Sequence, residues 1–235
     1  MRMWFRVIGL MVSAWAIFWA GGTTKAASVT VENASFELPA IDPCDFPVLP
    51  YAYQWRELDV DTEYSTNTGV FVNTAPGSPD RVLNADGVQL AFLGSELGNG
   101  FEQDLTVVYQ EGRVYRLTVG VGISMRFPPS ETDPVDTLEL ALYYLEGATP
   151  VDIVQRSVPA TGLSWTLVQD FEVQAPAVQA SDAWAGQDIG VAIRATGAAG
   201  GFWTLENVRL MELSPSDFTG DSRVNLEDFA VMAQE

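Results

Sequence analysis

Val114-Tyr-Arg-Leu-Thr-Val-Gly-Val121 alternates: Tyr115, Leu117, Val119 and Val121 fall on one side of an extended chain, with Arg116 and Thr118 on the other. The same period of two runs through Leu138–Leu145, where Leu138, Leu140, Leu142 and Tyr144 oppose Glu139, Ala141 and Tyr143. In Trp165–Val173, Trp165, Leu167, Gln169, Phe171 and Val173 oppose Thr166, Val168, Asp170 and Glu172. Val88–Leu93 and Phe101–Val107 lie before these runs, and Asp188–Ala195 and Phe202–Leu210 after them. Gly, Pro, Asn and Asp clusters separate the runs, and no sustained 3.6-residue apolar stripe interrupts Val29 to Leu210. About nine to eleven short strands in roughly 180 residues predict an all-β fold, two antiparallel sheets packed face to face, because a single sheet of that size would leave one apolar face wet. Trp165 and Trp203, on regular strands, are expected in the core. Tyr143 and Tyr144 must face opposite ways, so one of them is expected at the surface.

The first residues have a different character. Arg2 and Arg6 precede an uncharged run from Val7 to Ala20, and Thr24-Lys25-Ala26 offers small residues at a cleavage site. The run is shorter than the ~20 residues of a spanning helix. The expected organisation is therefore a signal peptide over 1–26, a sandwich domain over 27–213 and a short tail over 214–235, with the mature protein secreted and free of the membrane. Without Arg2, Arg6 and Lys25 the chain keeps nine basic against 31 acidic groups, net −22, and has neither lysine nor histidine. Such a field repels phosphate backbones and anionic lipid, which argues against nucleic acid as a partner and leaves neutral polysaccharides and divalent cations.

The missing residue types restrict the chemistry further. No Ser-His-Asp triad, Cys-His pair, Schiff-base lysine or histidine-bound zinc can be assembled, and only carboxylates and tyrosines remain for acid–base work. The single cysteine, Cys44, lies in a Pro-rich loop from Pro39 to Pro50 and has no intrachain partner for a disulfide.

Beyond Pro215 the chain reads Asp217-Phe-Thr-Gly-Asp-Ser-Arg-Val-Asn-Leu-Glu-Asp228. Calcium takes six to eight oxygens, and a twelve-residue loop supplies them from positions one, three, five, seven, nine and twelve. Here those are Asp217, Thr219, Asp221, the Arg223 carbonyl, Asn225 and Asp228, with Leu226, Phe229, Ala230 and Ala233 at helical spacing behind them. The segment resembles a single type I dockerin repeat, which implies calcium binding and attachment to a cohesin-like or cell-surface protein. It departs from that pattern at Thr219, at Ser222 where glycine makes the turn, and in having one repeat rather than two.

Within the sandwich, Asn33-Ala-Ser-Phe-Glu37, Asp86-Gly-Val-Gln-Leu-Ala-Phe-Leu-Gly94, Gly112-Arg-Val-Tyr-Arg-Leu-Thr-Val119 and Phe202-Trp-Thr-Leu-Glu-Asn-Val-Arg-Leu210 resemble the strands of secreted carbohydrate-binding-module, galactose-binding-like jelly rolls. The resemblance implies that the first and last strands meet, and that Glu37 and Glu206, with Asn207 as a weaker candidate, hold a structural calcium. Side-by-side carboxylates would otherwise repel. Binding of a carbohydrate or cell-surface glycan is the expected function. Tyr51, Tyr53, Trp55 and Trp184 are the expected aromatic platform, since they lie in loops and at strand ends rather than on regular strands. The alternatives are a calcium-dependent enzyme on the same sandwich, cyclase-like or glycoside-acting, and a structural envelope protein.

The tail generates a test of its own. Ser222 must adopt a geometry suited to glycine, at about 1–2 kcal/mol, or roughly tenfold in affinity. Calorimetry on the Ser214–Glu235 peptide should give a calcium dissociation constant of about 10⁻⁴–10⁻³ M, tightened by Ser222→Gly. Submicromolar binding by the unaltered peptide would contradict this.

Overall fold

The computed structural model of the protein describes residues 26–42, 48–58, 67–124, 137–197 and 201–214. Cys44, the first 25 residues and the tail ligands Asp217, Thr219, Asp221, Arg223, Asn225 and Asp228 lie outside the described residues. Among the described residues the strands are β1 (Ala27–Val29), β2 (Val48–Leu49), β3 (Arg56–Leu58), β4 (Thr68–Val72), β5 (Gln89–Gly94), β6 (Gly100–Val108), β7 (Val114–Ile123), β8 (Thr137–Glu146), β9 (Thr149–Pro159), β10 (Gln169–Gln174), β11 (Asp188–Ala195) and β12 (Phe202–Leu213). One sheet runs β10-β7-β12-β5-β4-β2, with β1 added beside β12, and the other runs β3-β6-β11-β8-β9. Every ladder is antiparallel, as the alternating sequence requires of a jelly-roll β-sandwich.

The inward faces are the ones the alternation marks. Tyr115, Leu117, Val119 and Val121 are fully buried, as are Leu138, Leu140 and Leu142, and they meet Val191, Ile193, Trp203, Leu205 and Leu210 in one core. At one end Tyr109 stands edge-on to Tyr115, and its hydroxyl donates 3.0 Å to the Tyr143 carbonyl. β12 organises the larger sheet. Its first half pairs with β5, and its second half with β1, through Ala27↔Glu212 and Val29↔Leu210. The change of neighbour coincides with a bulge between Glu206 and Arg209, where Asn207 takes φ 53°. The first and last strands therefore do meet.

Several local expectations are corrected. β9, eleven residues long, escapes the period-two reading because it is an edge strand carrying Pro150 and Pro159 and exposed at most positions. β10 starts only at Gln169, and Trp165, expected in the core, is 38 % exposed in the loop before it. Trp203 is fully buried as expected. Tyr144 leans on the core, but Tyr143, on the opposite face of β8, is no more exposed than a core residue.

Tyr143 owes that burial to a polar network laid over the outer face of the five-stranded sheet. Its ring lies on Gly190, where a Cβ would collide with it. Its hydroxyl donates 2.7 Å to Asp104, and the Arg194 guanidinium stands 5.9 Å above the ring centre. Burial, reinforced by the Asp104 carboxylate, pushes the phenol's pKa upward, so the proton stays on Tyr143. Arg194 pairs with Glu102 at 2.9 Å, with Asp152 at 2.7 Å and with Glu139 at 3.3 Å, while Arg56 closes on Glu102 from β3. Glu102, 3 % exposed, is thus a buried carboxylate held between two guanidiniums.

Gly190→Ala should therefore lower stability in denaturant unfolding by about 1–3 kcal/mol, the usual cost of overpacking. Adding Tyr143→Ala should be less costly than the sum of the two single changes, because the clash disappears with the ring. Strict additivity would mean that the ring does not rest on Gly190.

Candidate active site and cation site

Asn33 turns the chain at φ 49°. Its side-chain oxygen accepts from the Leu38 amide, and its amide group donates to the Leu38 and Tyr53 carbonyls. The turn drives Phe36 into the core and delivers Glu37 to the loop Asp86-Gly87-Val88-Gln89. Glu37 Oε1 accepts from the Val88 and Gln89 amides, both at 2.8 Å. Gly87, at φ 113°, is obligatory there because a Cβ would run into the Glu37 carboxylate. Glu206 reaches the same loop from the outer face of β12, its Oε1 accepting 2.9 Å from the Asp86 amide. One four-residue loop thus holds both carboxylates, and Asp86 adds a third, anchored by the Ser35 hydroxyl at 2.9 Å.

Glu206 is fully buried, and its Oε2 has no hydrogen-bond partner. Burial, then the neighbouring charges of Glu37 and Asp86, push its carboxyl up to about 9. Among the described residues no group of three or more acidic, thiol or imidazole side chains converges as a metal cluster. An ion at this point would therefore draw on the Glu37 and Glu206 carboxylates and complete its shell with carbonyl or water oxygens. Sequence reasoning named Glu37 and Glu206 but gave Asp86 no role.

The expected aromatic platform divides. Tyr51 and Tyr53 are 40 % and 53 % exposed and stack on each other at 5.5 Å. Trp55 and Trp184, expected at the surface, are core residues. Trp55 stacks on Phe36 at 5.3 Å and donates from Nε1 to the Asn33 carbonyl, while Trp184 stands edge-on to Tyr109 at 5.0 Å. Both lie outside regular strands, but the loops that carry them fold back over the sandwich, so absence of periodicity did not mean exposure.

A second constellation was not legible in the sequence. β3 pairs with β6 so that Glu57 stands opposite Phe101, and directly opposed residues share a face. Phe101 is fully buried, so Glu57 points between the sheets. Its Oε2 accepts 3.0 Å from the Thr68 hydroxyl on β4 of the other sheet, and its Oε1 accepts 2.6 Å from the Ala52 amide. Two rows of side chains face each other from there. Glu57, Phe101, Ile193 and Leu140 form one; Thr68, Leu93, Trp203 and Ile123 form the other. Trp203 is fully buried with an unpartnered indole N–H. One step nearer the end, by strand alternation, come Asn99 and Ala195, beside Ser95 and Gly201. Asn99 donates 3.4 Å to the Gly94 carbonyl, and its buried Oδ1 has no partner. The only hint in the sequence was an acidic residue at the centre of a three-residue strand.

An apo-form cyclase from Fischerella sp. superposes with a TM-score of 0.64 at 20% identity, over 81% of this chain and 98% of that one. The Stig cyclase Fisc from Fischerella sp. TAU, in complex with (3Z)-3-(1-methyl-2-pyrrolidinylidene)-3H-indole, gives 0.63 at 21% identity over 80% and 98%. A cyclase from Fischerella sp. TAU in complex with 4-(1H-indol-3-yl)butan-2-one gives 0.61 at 20% identity over the same shares. At such identities the likeness is one of fold. No curated protein matches the sequence. The family model described as HpiC1 cyclase matches residues 27–211, nearly all of the sandwich, and the chain belongs to the HpiC1-like cyclase family.

Proposed function

We propose that this protein is a cyclase-type enzyme that closes a ring within a small, flat, nitrogen-containing aromatic molecule. The family match over residues 27–211 carries the reading. Indole ligands in two of the structural relatives suggest the substrate class. The residue inventory agrees with a reaction of this kind: ring closure that only relocates protons needs a carboxyl or phenol, the two acid–base groups this chain has in quantity. Incubation of the protein with indoles bearing an unsaturated or carbonyl side chain should yield products of unchanged mass with a new ring, resolved by chromatography and NMR. Neither conversion nor binding across such a series would overturn the reading. Glycan binding has one observation in its favour, the exposed Tyr51–Tyr53 stack, and fluorescence titration with oligosaccharides tests it directly.

Calcium between Glu37 and Glu206 is the second part of the proposal. It is supported by the orphaned Glu206 Oε2 and by the Glu37 and Glu206 carboxylates held on one loop. Such an ion would pin the N-terminal segment to β12 and take no part in the chemistry. Its signature is a pH dependence. Without the ion, Glu206 has a folded-state pKa of about 9, above that of an exposed glutamate. The folded protein then holds a proton that the unfolded chain releases. The stabilisation is complete below the unfolded value of about 4.3 and is lost as pH rises towards 9. Melting temperature in chelator should fall steadily over that window, and excess calcium should flatten the fall by favouring the ionised form. Glu206→Gln should abolish both the slope and the response to calcium. An identical profile with chelator and with calcium in the parent would rule the ion out.

A further inference from the structure

Only glycine fits beside the Glu37 carboxylate at position 87, and this places an aspartate directly before a glycine at the surface. An aspartyl-glycyl or asparaginyl-glycyl peptide carries its own nucleophile. The glycine nitrogen, with no side chain beside it, can close a five-membered ring on the preceding carboxyl or carboxamide carbon. The chain contains two such peptides, Asp86-Gly87 and Asn99-Gly100. Asparagine is intrinsically the more reactive of the two, because its carboxamide is neutral and a carboxylate repels the incoming electron pair.

The fold treats the two oppositely. Asn99 is fully buried, and its main-chain carbonyl accepts 2.8 Å from the Ala195 amide. Gly100 opens β6 and is paired with Arg194 on one side and Leu58 on the other. A Cβ there would press on the Ile193 carbonyl, so the pairing leaves that peptide no room to turn. Asp86 and Gly87 are both exposed, and the Asp86 carboxylate accepts one surface hydrogen bond, 2.9 Å from the Ser35 hydroxyl. The amides of Asp86, Val88 and Gln89 are all committed, to Glu206 and Glu37. Among the described residues nothing accepts from the Gly87 amide. The nucleophile is thus the one uncommitted amide of the loop, and water reaches it.

We propose that Asp86-Gly87 is a site of spontaneous backbone modification, and that conversion of Asp86 to isoaspartate releases the clasp between the N-terminal segment and β12. The inference is independent of the cyclase reading and of any bound ion. The Gly87 nitrogen bonds to Asp86 Cγ, and one carboxyl oxygen leaves as water, taking the amide proton and a second proton from solvent. A water molecule then opens the cyclic imide at either carbonyl. One product is aspartate again; the other is isoaspartate, of the same mass, and no oxidant or reductant is consumed. In isoaspartate the main chain runs through Cβ and Cγ and is longer by one carbon, about 1.5 Å. The added carbon separates the Asp86 amide on Glu206 from the Val88 and Gln89 amides on Glu37, so one of the two carboxylates loses its partners.

The test ages the full chain at neutral pH for weeks, folded and in denaturant, and maps both sites by digestion and fragmentation that distinguishes isoaspartate. In denaturant Asn99 should convert first. In the folded protein its conversion should be slower by about 10³-fold or more, since a core strand must open before it reacts. Asp86 should stay within a few-fold of its rate in denaturant, so folded protein accumulates isoaspartate at Asp86 with Asn99 intact. Asp86→Glu, whose imide would need a six-membered ring, should remain unmodified; if that variant does not fold, the parent's own time course decides. The isoaspartyl species, separated chromatographically, should melt at a lower temperature than unmodified protein aged beside it. An unmodified Asp86 in folded protein, after the denatured chain has converted at both sites, would refute the proposal. Equal conversion of Asn99 in the folded chain would refute selection by the fold. A parental melting temperature in the isoaspartyl species would refute release of the clasp.

Discussion

Enclosing polar atoms between two apolar sheets is the constraint from which most of this structure follows. Three side-chain amides show how it is met. Gln103, inside the smaller sheet, exchanges hydrogen bonds with both backbone groups of Glu32 and donates to the Gln54 carbonyl. Gln89 does the same for Phe36, Pro39 and Ile41, and Asn73 bonds the backbone of Val82 in both directions. Gln89 and Gln103 fasten irregular segments to regular strands, and Asn73 ties together two positions of the connection between β4 and β5, so the connections are as specifically placed as the ladders. Against that background, Glu206 Oε2, Trp203 Nε1 and Asn99 Oδ1 stand out as buried atoms without a hydrogen-bond partner.

Two of those three atoms belong to β12. Trp203 points inward from its first half, and Glu206, at the bulge three residues later, points to the outer face. The strand pairs with β5, β7 and β1 in turn, so it is tied to both chain termini of the domain as well as to the middle of the larger sheet. Glu206 and Trp203, on opposite faces of the sheet, are therefore held by one strand.

The legible parts of the sequence were those governed by a local rule. Strict alternation located β7 and β8 and their inward faces, because a strand packed against the other sheet has no freedom to place Leu117 or Leu140 anywhere else. Glu37 and Glu206 were named through the resemblance to galactose-binding-like jelly rolls rather than through a local rule. Illegible were features set by the contacts of distant segments. The burial of Trp55 depends on Phe36 at the far side of a turn, and that of Trp184 on Tyr109. β9 lacks alternation because it is exposed at most positions, so neither of its faces demands apolar side chains. The inward aim of Glu57 follows from its register with Phe101, which no local pattern encodes.

The same β9 has a consequence for how copies of the protein behave together. An edge strand of eleven residues, facing water along one side, is a template on which a second chain could extend the sheet. Pro150 and Pro159 shorten the usable template by withholding an amide near each end, and Asp152 and Arg156 between them add charge to the approach. The opposite edge of that sheet is only the three residues of β3. With a net charge of −19 over the whole chain, two molecules meeting edge to edge face both electrostatic repulsion and a broken hydrogen-bond register. An all-β fold with a long exposed edge is in this way discouraged from fibrous self-assembly at high concentration.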